Sequence, residues 1–187
     1  MTNQDNIYLL HGYTASPQDN WFPWLRSMMQ EKLGQELQIL NLPNSDSPSL
    51  VAWNKTCDTE INPQKNLTII GHSLGCIQAL HYIEQHDVQD VNVICVSGFD
   101  ETTHTLPQLK QFTAEPIDYK NVQSKIKQAV VISAIDDTIV PSFYSETLAR
   151  HLGCKFVLMP NGGHFIDQEN VLTLPVVYQE LRQMLAR

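Results

Sequence analysis

Short apolar runs recur along the chain: Ile-Tyr-Leu-Leu at 7–10, Leu-Gln-Ile-Leu at 37–40, Leu-Thr-Ile-Ile at 67–70, Val-Asn-Val-Ile-Cys-Val at 91–96, Ala-Val-Val-Ile-Ser at 129–133 and Lys-Phe-Val-Leu-Met at 155–159. Few of them alternate cleanly between apolar and polar residues, as a strand with one wet face would. Such runs predict strands covered on both faces, as in a parallel sheet. Between them, helical spacing of apolar residues predicts helices over roughly 21–33, 49–61, 74–86, 142–152 and 173–186. The last has the clearest stripe, through Leu174, Val177, Tyr178, Leu181 and Leu185. Strand–helix alternation of this kind implies a doubly wound α/β fold with about six mostly parallel strands and helices on both faces. The stretch 99–127 breaks the rhythm. It is polar, contains proline and is longer than a usual connection, which predicts a small lid or an excursion over the sheet.

At 187 residues the chain fits one domain, 1–187, with one sizeable core. A net charge of −8 argues against nucleic acid or an anionic membrane surface as partner, because both demand clustered Lys and Arg. The first apolar run is only Ile7 to Leu10, with no basic region before it, so the N-terminus reads as neither signal peptide nor membrane anchor. Cys57, Cys76, Cys95 and Cys154 are scattered and form no C-x-x-C pair. They read as the reduced thiols of a cytoplasmic protein, and a disulfide scaffold or zinc site is not expected. No cluster at metal-ligand spacing and no glycine-rich phosphate loop is present, so neither a metal nor an organic cofactor is implied.

The chemistry concentrates at Gly71-His72-Ser73-Leu74-Gly75, directly after the third apolar run. In α/β sheets the functional face lies at the carboxyl ends of the strands. A serine flanked by glycines at that place matches the nucleophile elbow G-x-S-x-G, whose tight strand–turn–helix bend exposes the hydroxyl. A serine hydroxyl needs a base. Of the seven histidines, His81 and His86 fall within the following helix, His151 ends another, His104 lies in the irregular stretch, and His72 is locked inside the turn. His164 follows the last strand behind the turn signal Asn161-Gly162-Gly163, which can deliver a side chain to the carboxyl edge. The acid is expected between serine and base in the chain. Asp137 fits the spacing D-x-x-V-P through Pro141; Asp136 and then Asp100 are the alternatives. An oxyanion site would use the backbone N–H groups of Tyr13 and Leu74. His11 reads as a structural hydrogen-bonding residue. Trp21 and Phe22, with Trp24 nearby, are candidates for the wall of a substrate pocket, a spacing equally compatible with core.

With these segments in place, the chain resembles the small YdeN-like serine hydrolases, relatives of the retinoblastoma-binding-protein hydrolases, within the α/β-hydrolase superfamily. The resemblance runs over nearly the whole chain through His11–Leu25, Ile69–Gly75, Ser133–Pro141 and Asn161–Phe165. It implies a trimmed sheet with little or no cap, and matches Ser73, Asp137 and His164 to the family's catalytic set. The retinoblastoma-binding motif L-x-C-x-E is absent: Leu74–Gln78 and Leu152–Phe156 both lack the glutamate. The expected activity is that of a carboxylesterase cleaving small, short-acyl esters. A thioesterase or small-amide hydrolase with the same residues, or a weakly catalytic binding protein of this fold, are the alternatives.

Overall fold

The apolar runs become strands of one parallel sheet. The protein is represented by a computed structural model that describes residues 6–63 and 66–186. Among them the sheet has six strands in the order β2-β1-β3-β4-β5-β6. These are β1 (Asn6–Leu10), β2 (Leu37–Leu40), β3 (Leu67–His72), β4 (Val91–Val96), β5 (Ile126–Ala134) and β6 (Lys155–Met159). The helices are α1 (Phe22–Leu33), α2 (Leu50–Glu60), α3 (Leu74–Gln85), α4 (Tyr119–Lys125), α5 (Ser142–Leu152) and α6 (Pro175–Leu185). The expected strand–helix alternation and doubly wound architecture are therefore found.

The unalternating runs have a direct explanation. β3 and β4 are buried at every position. Ile69, Val93 and Val131 enter one core with Trp53 of α2, Ile77 of α3 and Leu148 of α5. Their neighbours Ile70, Ile94 and Ile132 enter a second core with Leu25 of α1 and Leu181 of α6. With helices on both faces, each position of a central strand has apolar partners, so the period of two vanishes from the hydropathy.

The stretch 99–127 is an ordered excursion. It contains a 3-10 helix (Pro107–Phe112) and α4, and its last two residues already belong to β5. Phe99, Leu109, Phe112, Ile117 and Val122 join the first core. His81 of α3 donates Nε2–H to the Phe112 carbonyl at 2.7 Å. Gln111 donates to the Pro48 carbonyl and accepts from the Leu50 N–H, at 2.9 and 3.2 Å. Among the described residues no helix is long and apolar enough to cross a membrane.

Because β2 lies on one side of β1 and β3 on the other, the chain reverses its winding direction between β1 and β3. A crevice opens at such a switch point, outside the carboxyl ends of the strands. Leu10 at the end of β1 is in register with Gly71 of β3, and the turn after Gly71 carries Ser73.

Candidate active site

Ser73 sits between β3 and α3 with φ 54° and ψ −122°, in the strained backbone expected of a nucleophile elbow. Its N–H donates to the Val96 carbonyl at 2.8 Å, which ties the turn to the end of β4. The two flanking glycines are required by close packing. A Cβ on Gly71 would stand 2.6 Å from the Cα of Cys76, and one on Gly75 only 2.1 Å from the Leu10 carbonyl oxygen. Helix α3 thus begins almost in contact with the end of β1.

The loop after β1 closes on the same turn. A Cβ on Gly12 would approach Ser73 Cβ at 2.8 Å and Ser73 Oγ at 3.4 Å, so only a glycine lets the loop backbone lie against the serine. Tyr13 follows at once. Leu74 is the first residue of α3, where an N–H has no acceptor within the helix and the dipole is positive. His11 holds this loop from behind: it donates Nδ1–H to the Gly12 carbonyl at 2.9 Å and accepts the Leu42 N–H on Nε2 at 3.0 Å. Burial pushes its imidazole below the usual histidine range, consistent with a neutral structural residue.

His164 and Asp137 meet as a formed pair. Nδ1–H of His164 donates to Asp137 Oδ2 at 2.8 Å, and both side chains are almost wholly buried. The other oxygen, Oδ1, accepts the N–H groups of Ile139 and Val140 at 2.9 and 2.8 Å. Burial by itself would raise the Asp137 carboxyl. The bond and charge of His164 and the Val140 amide outweigh it and hold the carboxyl below its ordinary value. With Nδ1 protonated towards Asp137, the neutral imidazole carries its lone pair on Nε2.

The other two aspartates lie elsewhere. Asp136 accepts the N–H groups of Gly162 and Gly163 and so binds the backbone of the His164 loop, leaving the imidazole to its neighbour. Asp100 is engaged by the Tyr119 hydroxyl and by His151 Nδ1, the latter at 2.6 Å. His72, set aside from the sequence, donates Nε2–H to the His164 carbonyl at 2.8 Å. Burial, with the neighbouring His164, drives its pKa down to about 3, so it is neutral.

Ser73 and His164 line one cavity of about 290 Å³. Its other walls include Tyr13, Asp19, Asn20, Leu106, Ile139, Ile166 and Asp167. Trp21 and Phe22 do not reach it. Both are fully buried in the second core, where their rings pack edge-on against His72, because the first turn of α1 points inward at the sheet. The walls come instead from several separate loops, among them Leu106 from the excursion. Among the described residues no group of His, Cys, Asp and Glu could hold a metal ion.

Residues 7–183 match the serine hydrolase family over almost the full chain. The chain belongs to that family. It is 35% identical over 184 residues to YdeN of Bacillus subtilis (strain 168), covering 97% of this chain and 95% of that one. It is 23% identical over 150 residues to the serine hydrolase RBBP9 of Rattus norvegicus, covering 80% of each chain. The crystal structure of the B. subtilis ydeN gene product superimposes with a TM-score of 0.93 at 33% identity, covering 98% of this chain and 100% of the other. Est1E from Butyrivibrio proteoclasticus shares the fold at a TM-score of 0.74 and 13% identity, covering 98% and 89%. The α/β-hydrolase fold and hydrolase class expected from the sequence are thus found.

Proposed function

We propose that this serine hydrolase is a carboxylesterase for small, short-acyl esters, with Ser73 as nucleophile, His164 as base and Asp137 as the orienting acid. The observation that carries the reading is the buried Asp137–His164 bond, 2.8 Å long, beside a cavity that the strained Ser73 also lines. His164 Nε2 takes the Ser73 proton as Oγ attacks the ester carbonyl. The carbonyl oxygen becomes an oxyanion, held by the N–H groups of Tyr13 and Leu74. The imidazolium, stabilised by Asp137, then protonates the leaving alkoxide and an acyl-serine remains. Water enters, gives its proton to the same imidazole and attacks the acyl carbon; the acid departs and Ser73 recovers its proton.

Cavity size supports a short acyl group, since about 290 Å³ lies at the lower end of small-molecule sites, which run from about 300 to 1,000 Å³. A fluorophosphonate probe should label the wild type and leave Ser73→Ala unlabelled. Equal labelling of both proteins overturns the assignment of the nucleophile. A panel of p-nitrophenyl esters of graded length, with thioester and anilide analogues, decides the bond type. Highest kcat/KM on a thioester or anilide would replace carboxylesterase by one of those activities.

A further inference from the structure

The loop that carries His164 follows a backbone path that side-chain-bearing residues rarely adopt, open to its two glycines and strained at Phe165. Gly162, Gly163 and Phe165 have φ of 135°, 54° and 55°, so three of four consecutive residues occupy the left-handed region. A segment of this kind keeps one shape only if its surroundings hold it.

Two carboxylates do so. Asp136 accepts the Gly162 N–H on Oδ2 at 3.3 Å and the Gly163 N–H on Oδ1 at 2.8 Å. Glu169 accepts the His164 N–H on Oε2 at 2.6 Å. Three successive amides are thus satisfied by two carboxylates, the Gly162 and Gly163 N–H groups by Asp136 and the His164 N–H by Glu169. The carbonyl side of His164 is held by His72. The two glycines are needed for this fit: a Cβ on Gly163 would stand 2.3 Å from a Glu169 carboxylate oxygen, and one on Gly162 2.4 Å from the Phe165 ring.

We propose that Glu169 and Asp136 are positioning residues that aim His164, acting through the backbone of its loop. Asp136 and Asp137 then divide the task, one fixing the main chain of the histidine loop and the other its imidazole. Glu169 reaches the loop from the short 3-10 turn Asp167–Glu169, itself anchored by the Asp167 N–H on Asn20 Oδ1 at 3.0 Å. Both carboxylates belong to exposed residues, so their truncation removes these bonds without opening a core cavity. The proposal rests on the reading of His164 as the base.

The test compares Glu169→Ala, Asp136→Ala, the double variant and Glu169→Gln, which retains an acceptor oxygen. Loss of aim should lower kcat by about tenfold to a hundredfold in Glu169→Ala, with KM changed by less than about threefold. The double variant should lose more, and Glu169→Gln should recover most of the activity. An independent readout is the proton NMR signal of His164 Nδ1–H in its bond to Asp137. It should broaden or disappear in Glu169→Ala and return in Glu169→Gln. Wild-type kcat and an unchanged Nδ1–H signal in both alanine variants overturn the proposal, as does a fall in Tm alone. Equal impairment of Glu169→Gln and Glu169→Ala overturns the hydrogen-bond account. Failure of the wild type to label at Ser73 would instead count against the esterase reading, and the His164 signal would still test the clamp.

Discussion

Gly75, the second residue of helix α3, lies so close to Leu10 that a single methyl group at its α-carbon would stand 2.1 Å from the Leu10 carbonyl oxygen. The obstacles are all backbone, with the Leu10 carbonyl carbon at 2.7 Å and the His11 oxygen at 2.8 Å, so no side chain can rotate away. Gly75→Ala should therefore destabilise the fold by about 4 kcal/mol or more, in the exceptional range for one substitution. Gly34 is the control. It sits at φ 62° with open space around it, and Gly34→Ala should cost only the left-handed penalty of about 1 kcal/mol. Urea unfolding of both variants checks the ranking, and equal losses would refute it.

The adjacent aspartates should differ in kind. Asp137→Asn preserves size but favours the wrong tautomer of His164, and kcat should fall by at least about 10²-fold. Asp136→Asn keeps one acceptor for the loop amides and should stay within about tenfold. Asp100→Asn acts on Tyr119 and His151, away from the cavity, and should also stay within about tenfold. Steady-state kinetics with melting temperatures decide this; a loss at Asp100→Asn or Asp136→Asn that equals or exceeds that of Asp137→Asn, at unchanged Tm, would move the acid there.

Acid sensitivity should carry the mark of His72. Its pKa falls from 6.5 to about 3 on folding, so between those values the unfolded chain binds more protons than the folded one. Stability must then fall as pH drops through that window, by up to about 1.4 kcal/mol per pH unit from this group. Asp137 adds in the same direction at lower pH, since its depressed carboxyl loses its stabilising contribution as it protonates. Denaturant midpoints from pH 7 to 4 should decline more steeply for the wild type than for His72→Gln. Parallel declines would show that the imidazole is not the buried neutral group.

Lys125 closes the end of α3. Its Nζ donates to the carbonyls of Ile83, Glu84 and His86 at 2.9, 2.9 and 2.7 Å, at the negative end of the helix dipole. Lys125→Met keeps the stem and removes the three bonds, at a cost of about 1–3 kcal/mol. The Tm should drop by several degrees while kcat/KM at 25 °C changes little. A thermal scan that leaves Tm in place argues against the cap.

Asp19 and Asp167 are the acidic lining of the cavity, with no Lys or Arg lining it among the described residues. Esters whose acyl group ends in a carboxylate should react at least about tenfold more slowly than their neutral methyl esters, through like-charge repulsion at close range. Asp19→Asn and Asp167→Asn should narrow that ratio. A ratio near one in the wild type would remove charge as a factor in selectivity.

The sequence determined most of the elements of this protein because their causes are local, while helix α4 lay hidden in the stretch read only as an irregular excursion. Six short apolar runs, most of them unalternating, marked the strands, with the central β3 and β4 covered on both faces, and helical stripes marked what covers them. Glycines at 71 and 75 marked a bend too tight for side chains, and Gly162-Gly163 marked the turn before His164. Tertiary structure decided what depends on direction and on distant neighbours. Asp136 and Asp137 leave the same strand end, and only the fold turned one carboxylate to an imidazole and the other to two amides. Trp21 and Phe22 have pocket-like composition, yet the inward face of α1 placed them in the core, while Leu106 and Ile139 became wall. Glu169 carried no signal of its own, since a glutamate in a polar loop looks like any other. Its bond to the His164 N–H exists because the 3-10 turn folds back on a backbone that glycine alone allows so near. Local periodicity and steric demand are written along the chain, whereas the aim of a side chain is set only when separate segments pack together.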